Sequence, residues 1–191
     1  MHIKRTTQLI EPYSEWIDLE TATLKNPRTH NVRRASVMRG YYKDEQALNR
    51  LIEAHDDPVH YETFEPQLPQ EYGHLIYGLS TLWPGRVGDE FFMTKGHYHT
   101  VVETGEIYLC LRGEGYMLMK TQDGQCRAEK MTRGGLVYVP PYWAHRSVNT
   151  GDGPLTTLFV YPADAGHNYG DITEEGFPKR IVLRNGEVVI E

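Results

Sequence analysis

The sequence predicts an all-β protein built of antiparallel strands, a sandwich or a barrel. Three observations carry that expectation. From residue 74 to 162, short runs rich in Val, Ile, Leu, Tyr and Phe follow one another, bounded by Gly, Pro, Asp or Asn. Turn signals recur between them: "RGEG" at 112–115, "QDGQ" at 122–125 and "RNGE" at 184–187. Asp-Gly suits the positive φ of a type I′ hairpin turn. No helical crossover interrupts the run, so a parallel α/β order is not expected.

Taken in order, the first seventy residues are mixed. The segment 44–55, "DEQALNRLIEAH", brings Ala47, Leu48, Leu51, Ile52 and Ala54 near one face at helical spacing and predicts a helix. Residues 56–72 carry Pro58, Pro66 and Pro69 and read as extended or loop-like. The strands follow: "HLIYGLSTLW", "EFFMTKGHYH", "EIYLCLRG", "GYMLMKTQ", "QCRAEKM", "GLVYVP", "HRSVN" and "LTTLFVYP". The tail "KRIVLRNGEVVIE" adds a hairpin around Asn185-Gly186. A chain of 191 residues suffices for one domain with a sizeable core. The expected organisation is a single domain over 1–191, with a barrel core at 71–191 and an N-terminal extension at 1–70 packing on it.

Composition narrows the function classes. Net charge is -6 and the basic residues are scattered, which argues against nucleic acid or an acidic membrane surface as partner. No segment approaches the roughly 20 apolar residues of a membrane span. The first sixteen residues, "MHIKRTTQLIEPYSEW", show no signal-peptide pattern. Two cysteines, Cys110 and Cys126, make neither a disulfide framework nor a C-x-x-C site, and Cys110 reads as a small core residue. A reducing cytoplasm is the expected location.

The stretch "TKGHYHTVVETGEIY", residues 94–108, holds the chemistry. Residues two apart on a strand share a face, so His97 and His99 point one way and Tyr98 the other. Alone, H-x-H is a weak signal, and two such histidines also suit an exposed polar face. A third histidine, His145, opens a strand after the proline pair of "PPYWAHRSVN", where a neighbouring strand would aim it into the same interior. Imidazole with carboxylate suits Fe, Mn, Ni and Zn. Two glutamates compete for the fourth place. "VVETG" reads as a turn that would leave Glu103 facing water, whereas Glu106 opens the strand "EIYLCL" and has the stronger case.

These residues resemble the cupin superfamily. Its second motif, G-x5-P-x-G-x2-H-x3-N, is met by Gly134, Pro140, His145 and Asn149, with Tyr142 in place of the inner glycine, so the turn before His145 is expected to differ. In its first motif Phe91 replaces the leading glycine. Glu103 meets the short gap after His99, while Glu106 meets the six-residue gap to Gly113. "TKGHYH", "GEIYLCLRGEG", "VYVPPYWAHRSVNTGD" and "YPADAGHNYGDI", with "RRASVMRGYYKDEQA" and "DPVHYE" upstream, are similar to the cupin-type glucose-6-phosphate isomerases of archaea and some bacteria. The likeness runs from about residue 32 to 182. It implies a cupin jelly-roll barrel, a homodimer, and one divalent metal, Fe2+ before Mn2+, Ni2+ or Zn2+, held by His97, His99, Glu106 and His145.

The resemblance also implies roles. Glu106 is a candidate base as well as a ligand, and Tyr161 and His167 of "YPADAGH" are an active-site pair near the sugar oxygens. His167 is suited to proton movement in ring opening. Tyr61, Ser80, Thr94, Gly96 and Tyr108 are implied at the phosphate, through hydroxyls and a closely approaching backbone. There is no glycine-rich phosphate loop and no arginine cluster, and strand parity turns Lys95 away from Thr94. The implied reaction interconverts glucose 6-phosphate and fructose 6-phosphate, by enediol proton transfer or a metal-assisted hydride shift. Two alternatives stand beside it, an iron-dependent cupin dioxygenase and a non-catalytic sugar-binding cupin.

Overall fold

Alternating side chains along the nine strands of two sheets sort the interior into two facing walls. A computed structural model describes residues 9–191, and the reading of residues 1–8 lies outside them. The chain opens with a small hairpin of β1 (Ile17–Asp18) and β2 (Thr23–Leu24). Next come β3 (Thr29–Arg34), a 3-10 turn at Ala35–Met38, α1 (Glu45–Ala54) and β4 (Val59–Glu65). Then follow β5 (Leu75–Leu82), β6 (Arg86–Val87), β7 (Glu90–Phe91) and β8 (Glu106–Arg112). After these come β9 (Glu114–Lys120), β10 (Cys126–Thr132), β11 (Leu136–Val139), β12 (Ala144–Asn149) and β13 (Leu155–Pro162). The tail forms α2 (Gly170–Glu175), β14 (Ile181–Arg184) and β15 (Glu187–Ile190).

The larger wall is a six-stranded antiparallel sheet in the order β11-β8-β13-β5-β4-β3. The smaller runs β10-β9-β12. A third sheet, β15-β14-β7-β6, closes one side. This is the all-β jelly-roll architecture expected of a cupin, with the N-terminal helix outside the barrel. Strands β3 and β4 of the N-terminal extension continue the larger wall beside β5. Period-2 geometry then places Arg33, Tyr61, Thr63, Ser80, Phe159, Tyr161, Glu106 and Tyr108 on its inner face.

Several local expectations need correction. The helix is capped by Asp44, whose carboxylate accepts from Ala47 N–H at 2.8 Å, and it buries Leu48, but Ala54 is exposed. The 3-10 turn and α2 were not legible as helices. At "QDGQ" only Gly124 has positive φ (87°), and Thr121 N–H bonds Gln125 C=O at 3.0 Å, so the loop is wider than a two-residue I′ turn. The I′ signature falls instead on Asn185 (φ 52°) and Gly186 (φ 84°). Tyr142 holds a left-handed backbone conformation, at φ 70°, of the kind that favours glycine, and its N–H bonds Val102 C=O at 2.7 Å.

Residues 92–99 are not a regular strand, and this is the largest departure. Phe92 and Thr94 bond Asn149 and Ser147 of β12, and Met93 pairs with Val148. His97 then pairs with His145, so Lys95 and Gly96 together stand opposite Arg146 alone. That is a β-bulge, with Gly96 at φ 77° supplying the conformation it needs. The extra residue resets the parity: Thr94 and His97, three apart, come to the same side. Lys95 meets the same cavity through its backbone, beside Tyr61, while its ammonium is turned to the Tyr41 ring, 5.4 Å from the centroid, as parity led one to expect. Beyond the bulge the alternation of His97, Tyr98 and His99 is kept, and Tyr98 turns away to pack with Ala144 and Ile172.

Candidate metal centre and substrate cavity

The smaller wall and the bulged segment supply three imidazoles, and the larger wall supplies one carboxylate. One ligand atom each from His97, His99, Glu106 and His145 lies within 4.8 Å of every other. His99 Nε2 and His145 Nε2 reach the same carboxylate oxygen, Glu106 Oε2, at 3.1 and 3.0 Å. Neither contact uses Oε1. Glu106, His99 and His145 are buried. Burial pushes the Glu106 carboxyl up, but the bonds from His145 and His99 outweigh it and hold the group at about 2. Burial and the neighbouring His145, His167 and His99 keep His97 well below the ordinary imidazole range, so it is neutral.

The donor chemistry fits a cation. His99 Nδ1 donates to Thr104 C=O at 3.1 Å and to Thr104 Oγ1 at 2.8 Å, which in turn donates to Val101 C=O at 2.6 Å. Thr104 thus takes up Nδ1 and leaves Nε2 turned to Glu106 Oε2, where a cation between the two would be held by both. His97 Nε2 is buried without a hydrogen-bond partner among the described residues. Leaving such a group unsatisfied costs about 1–3 kcal/mol, and ligation removes the cost.

A cavity of about 290 Å3 opens from this cluster. Every residue expected at the phosphate or the sugar, Tyr61, Ser80, Thr94, Gly96, Tyr108, Tyr161 and His167, lies on its wall. Gly96 fits for two reasons, its positive φ and the 3.0 Å that would separate a Cβ from His145 O and the Phe177 ring. Tyr108 stands nearest the cluster, its hydroxyl 3.1 Å from His145 Nε2. His167 sits at the rim with its ring centroid 4.4 Å from that of His97 and 5.3 Å from that of Tyr161. Burial lowers the His167 pKa and raises those of Tyr161 and Tyr108, so an unprotonated imidazole faces neutral phenols. Burial, then Tyr169, pushes Tyr61 up to about 12.

Other neighbours escaped the sequence reading. Thr104, in the turn beside the exposed Glu103, orients His99. Arg33, Thr63, Glu65 and Tyr169 also line the cavity. Alternation along "HNVRR" and "HYETFE" was the available signal for the first three. Asn149 of the second motif is structural: it donates to Leu82 C=O and Gly153 C=O, both at 2.9 Å.

A jelly-roll barrel with three histidines and a glutamate converging inside it defines a cupin with a metal-type site. The family model described as glucose-6-phosphate isomerase (GPI) matches residues 32–191. A glucose-6-phosphate isomerase of Thermococcus litoralis is 48% identical over 95% of this chain and 94% of its own length. One of Pyrococcus furiosus is 46% identical over 94% of each chain. A putative glucose-6-phosphate isomerase 1 of Rhizobium meliloti is 37% identical, covering 94% of this chain and 84% of its own. The chain belongs to the cupin-type glucose-6-phosphate isomerase family. No helix among the described residues is long and apolar enough to cross a membrane.

Proposed function

We propose that the chain is a metal-dependent aldose–ketose isomerase interconverting glucose 6-phosphate and fructose 6-phosphate. The observation that carries this reading is the largely buried three-imidazole, one-carboxylate cluster opening onto a hydroxyl-lined cavity in a chain of this family. His97, His99, His145 and Glu106 would hold one divalent cation, with Fe2+ as the resident and Mn2+, Ni2+ or Zn2+ suited to the same donors. A cation held there supplies Lewis-acid polarisation of the substrate's carbonyl and hydroxyl oxygens.

Going from ketose to aldose moves one hydrogen from C1 to C2 and exchanges the carbonyl and hydroxyl. In the enediol route Glu106 takes the C1 proton and returns it at C2. Its two oxygens divide the work. Oε2 already serves both histidines, and Oε1 is the atom assigned to the proton. Neutral His167 accepts the anomeric proton in ring opening, and the Tyr161 hydroxyl donates to a sugar oxygen. Tyr61, Ser80 and Thr94 hydroxyls with the Gly96 backbone hold the phosphate, while Tyr108 marks the boundary between phosphate and sugar. Deuterium from heavy water is expected at the transferred position, and its absence would replace proton transfer by a hydride shift.

The reading extends to a single domain acting as a homodimer in the cytoplasm. Exposed Leu136 and Tyr138 on the edge strand β11 support a covered edge, and free Cys110 and Cys126 suit a reducing compartment. A coupled assay for glucose 6-phosphate made from fructose 6-phosphate, with oxygen excluded, tests the function. Turnover is expected. Substrate-dependent oxygen uptake would indicate a dioxygenase, and sugar binding without turnover a non-catalytic cupin; either overturns the reading.

A further inference from the structure

A phosphate dianion enclosed in a protein needs more than neutral hydroxyls, because burying a charge without a counter-charge is costly. Four charged residues border the cavity: Arg33, Lys95, Glu65 and Glu106. Glu106 belongs to the histidine cluster, and the Lys95 ammonium lies over Tyr41. Arg33 is uncommitted. It has no hydrogen-bond or ion-pair partner among the described residues, unlike Arg34, which donates to Asp57 C=O at 2.8 Å.

The backbone explains why Arg33 faces inward. It pairs with Tyr61 across β3 and β4, and the register shifts between Arg33 and Arg34. Arg33 thus shares the inner face with Tyr61, and its positive charge opposes the burial that raises the Tyr61 and Tyr169 hydroxyls. Glu65 lies further along β4, close enough to raise Tyr161 together with Glu106. The cavity is therefore polarised. Its positive end lies at Arg33 and Tyr61, and its negative end at Glu65 and Glu106.

We infer that Arg33, delivered by the N-terminal extension, is the cation that pairs with the substrate phosphate and sets which end of the sugar reaches the cluster. The guanidinium fork matches two phosphate oxygens, which a lysine cannot do. Glu65 repels the same dianion from the opposite end. The inference deepens the isomerase reading and rests on it for the identity of the substrate.

Calorimetric titration with inorganic phosphate and steady-state kinetics with fructose 6-phosphate test it, using Arg33→Gln, Arg33→Lys and the control Arg34→Gln. Arg33→Gln is expected to weaken phosphate binding about tenfold to a hundredfold and to raise KM in parallel. Arg33→Lys restores part of the loss, and Arg34→Gln, which removes the same net charge from the outer face, leaves both values within about twofold. Phosphate affinity and KM unchanged in Arg33→Gln, or an equal loss of affinity and rise in KM in Arg34→Gln, would overturn it. A chain that binds phosphate through Arg33 yet turns over no sugar phosphate would keep this assignment and sink the isomerase reading.

Discussion

His97 and His145 bond each other's main chain in both directions, His97 N–H to His145 C=O at 3.2 Å and the reverse at 3.1 Å. Their ring centroids stand 4.5 Å apart. Two segments nearly fifty residues apart in sequence are thus locked in register by backbone alone, directly after the bulge at Lys95–Gly96. That pairing sets the spacing of these two imidazoles. Only Glu106 comes from the opposing wall, so the cluster spans the two sheets.

That division makes Glu106 the sensitive ligand. Glu106→Gln keeps its shape but loses the charge that His99 and His145 address. The expected loss in kcat/KM is at least about a hundredfold. Glu103→Gln, at the exposed turn, is expected to stay within about twofold of the unchanged chain. Steady-state kinetics on protein of known metal content checks this, and equal losses would mean the carboxylate ligand is misassigned.

Thr104 holds His99 Nδ1 through Oγ1. Thr104→Val removes that acceptor and leaves only the backbone carbonyl. Metal affinity is expected to fall about tenfold to a hundredfold, the usual cost of losing such an orienting partner. Competition with a chelator of known affinity measures it. An unchanged affinity would show that the carbonyl alone orients the ring.

Tyr142 holds a left-handed backbone conformation that costs a non-glycine residue about 1–2 kcal/mol. Tyr142→Gly is expected to be more stable than Tyr142→Val by about that amount, because valine is branched at Cβ. Denaturant melts of the two variants decide. Equal midpoints would mean the turn relaxes out of positive φ.

His60 is fully buried, and burial pulls its pKa down to about 4. The ordinary value is 6.5, so between the two the unfolded chain binds a proton that the folded chain does not. Folding stability is therefore greatest above about 6.5 and is lost as pH falls toward 4, by up to about 1.4 kcal/mol per unit from this group. Urea unfolding from pH 7 to 4 should show a shallower decline for His60→Gln than for the unchanged chain. Parallel declines would place the acid sensitivity elsewhere.

The barrel was legible because turn residues and period-2 alternation mark most of its strands one at a time. His97, His99, Glu106 and His145 were legible from spacing and motif, and the choice of Glu106 over Glu103 followed from where the strand begins. What stayed hidden depends on pairing between distant segments. The bulge that brings Thr94 and His97 to one cavity exists only against β12, so local parity alone could not place them together. Arg33, Thr63 and Glu65 were passed over because β3 and β4 read as an extension, although they complete the cavity wall. The positive φ of Tyr142 was hidden for a different reason: a bulky side chain gives no local signal of a left-handed turn.

Metal removal and return measures the central claim most directly. Protein stripped by chelation, with the loss verified by elemental analysis, is expected to convert no fructose 6-phosphate in an oxygen-free coupled assay. Fe2+ or Mn2+ at one equivalent per chain should restore turnover. Full activity in verified metal-free protein would contradict the assignment of His97, His99, Glu106 and His145 as a catalytic metal centre.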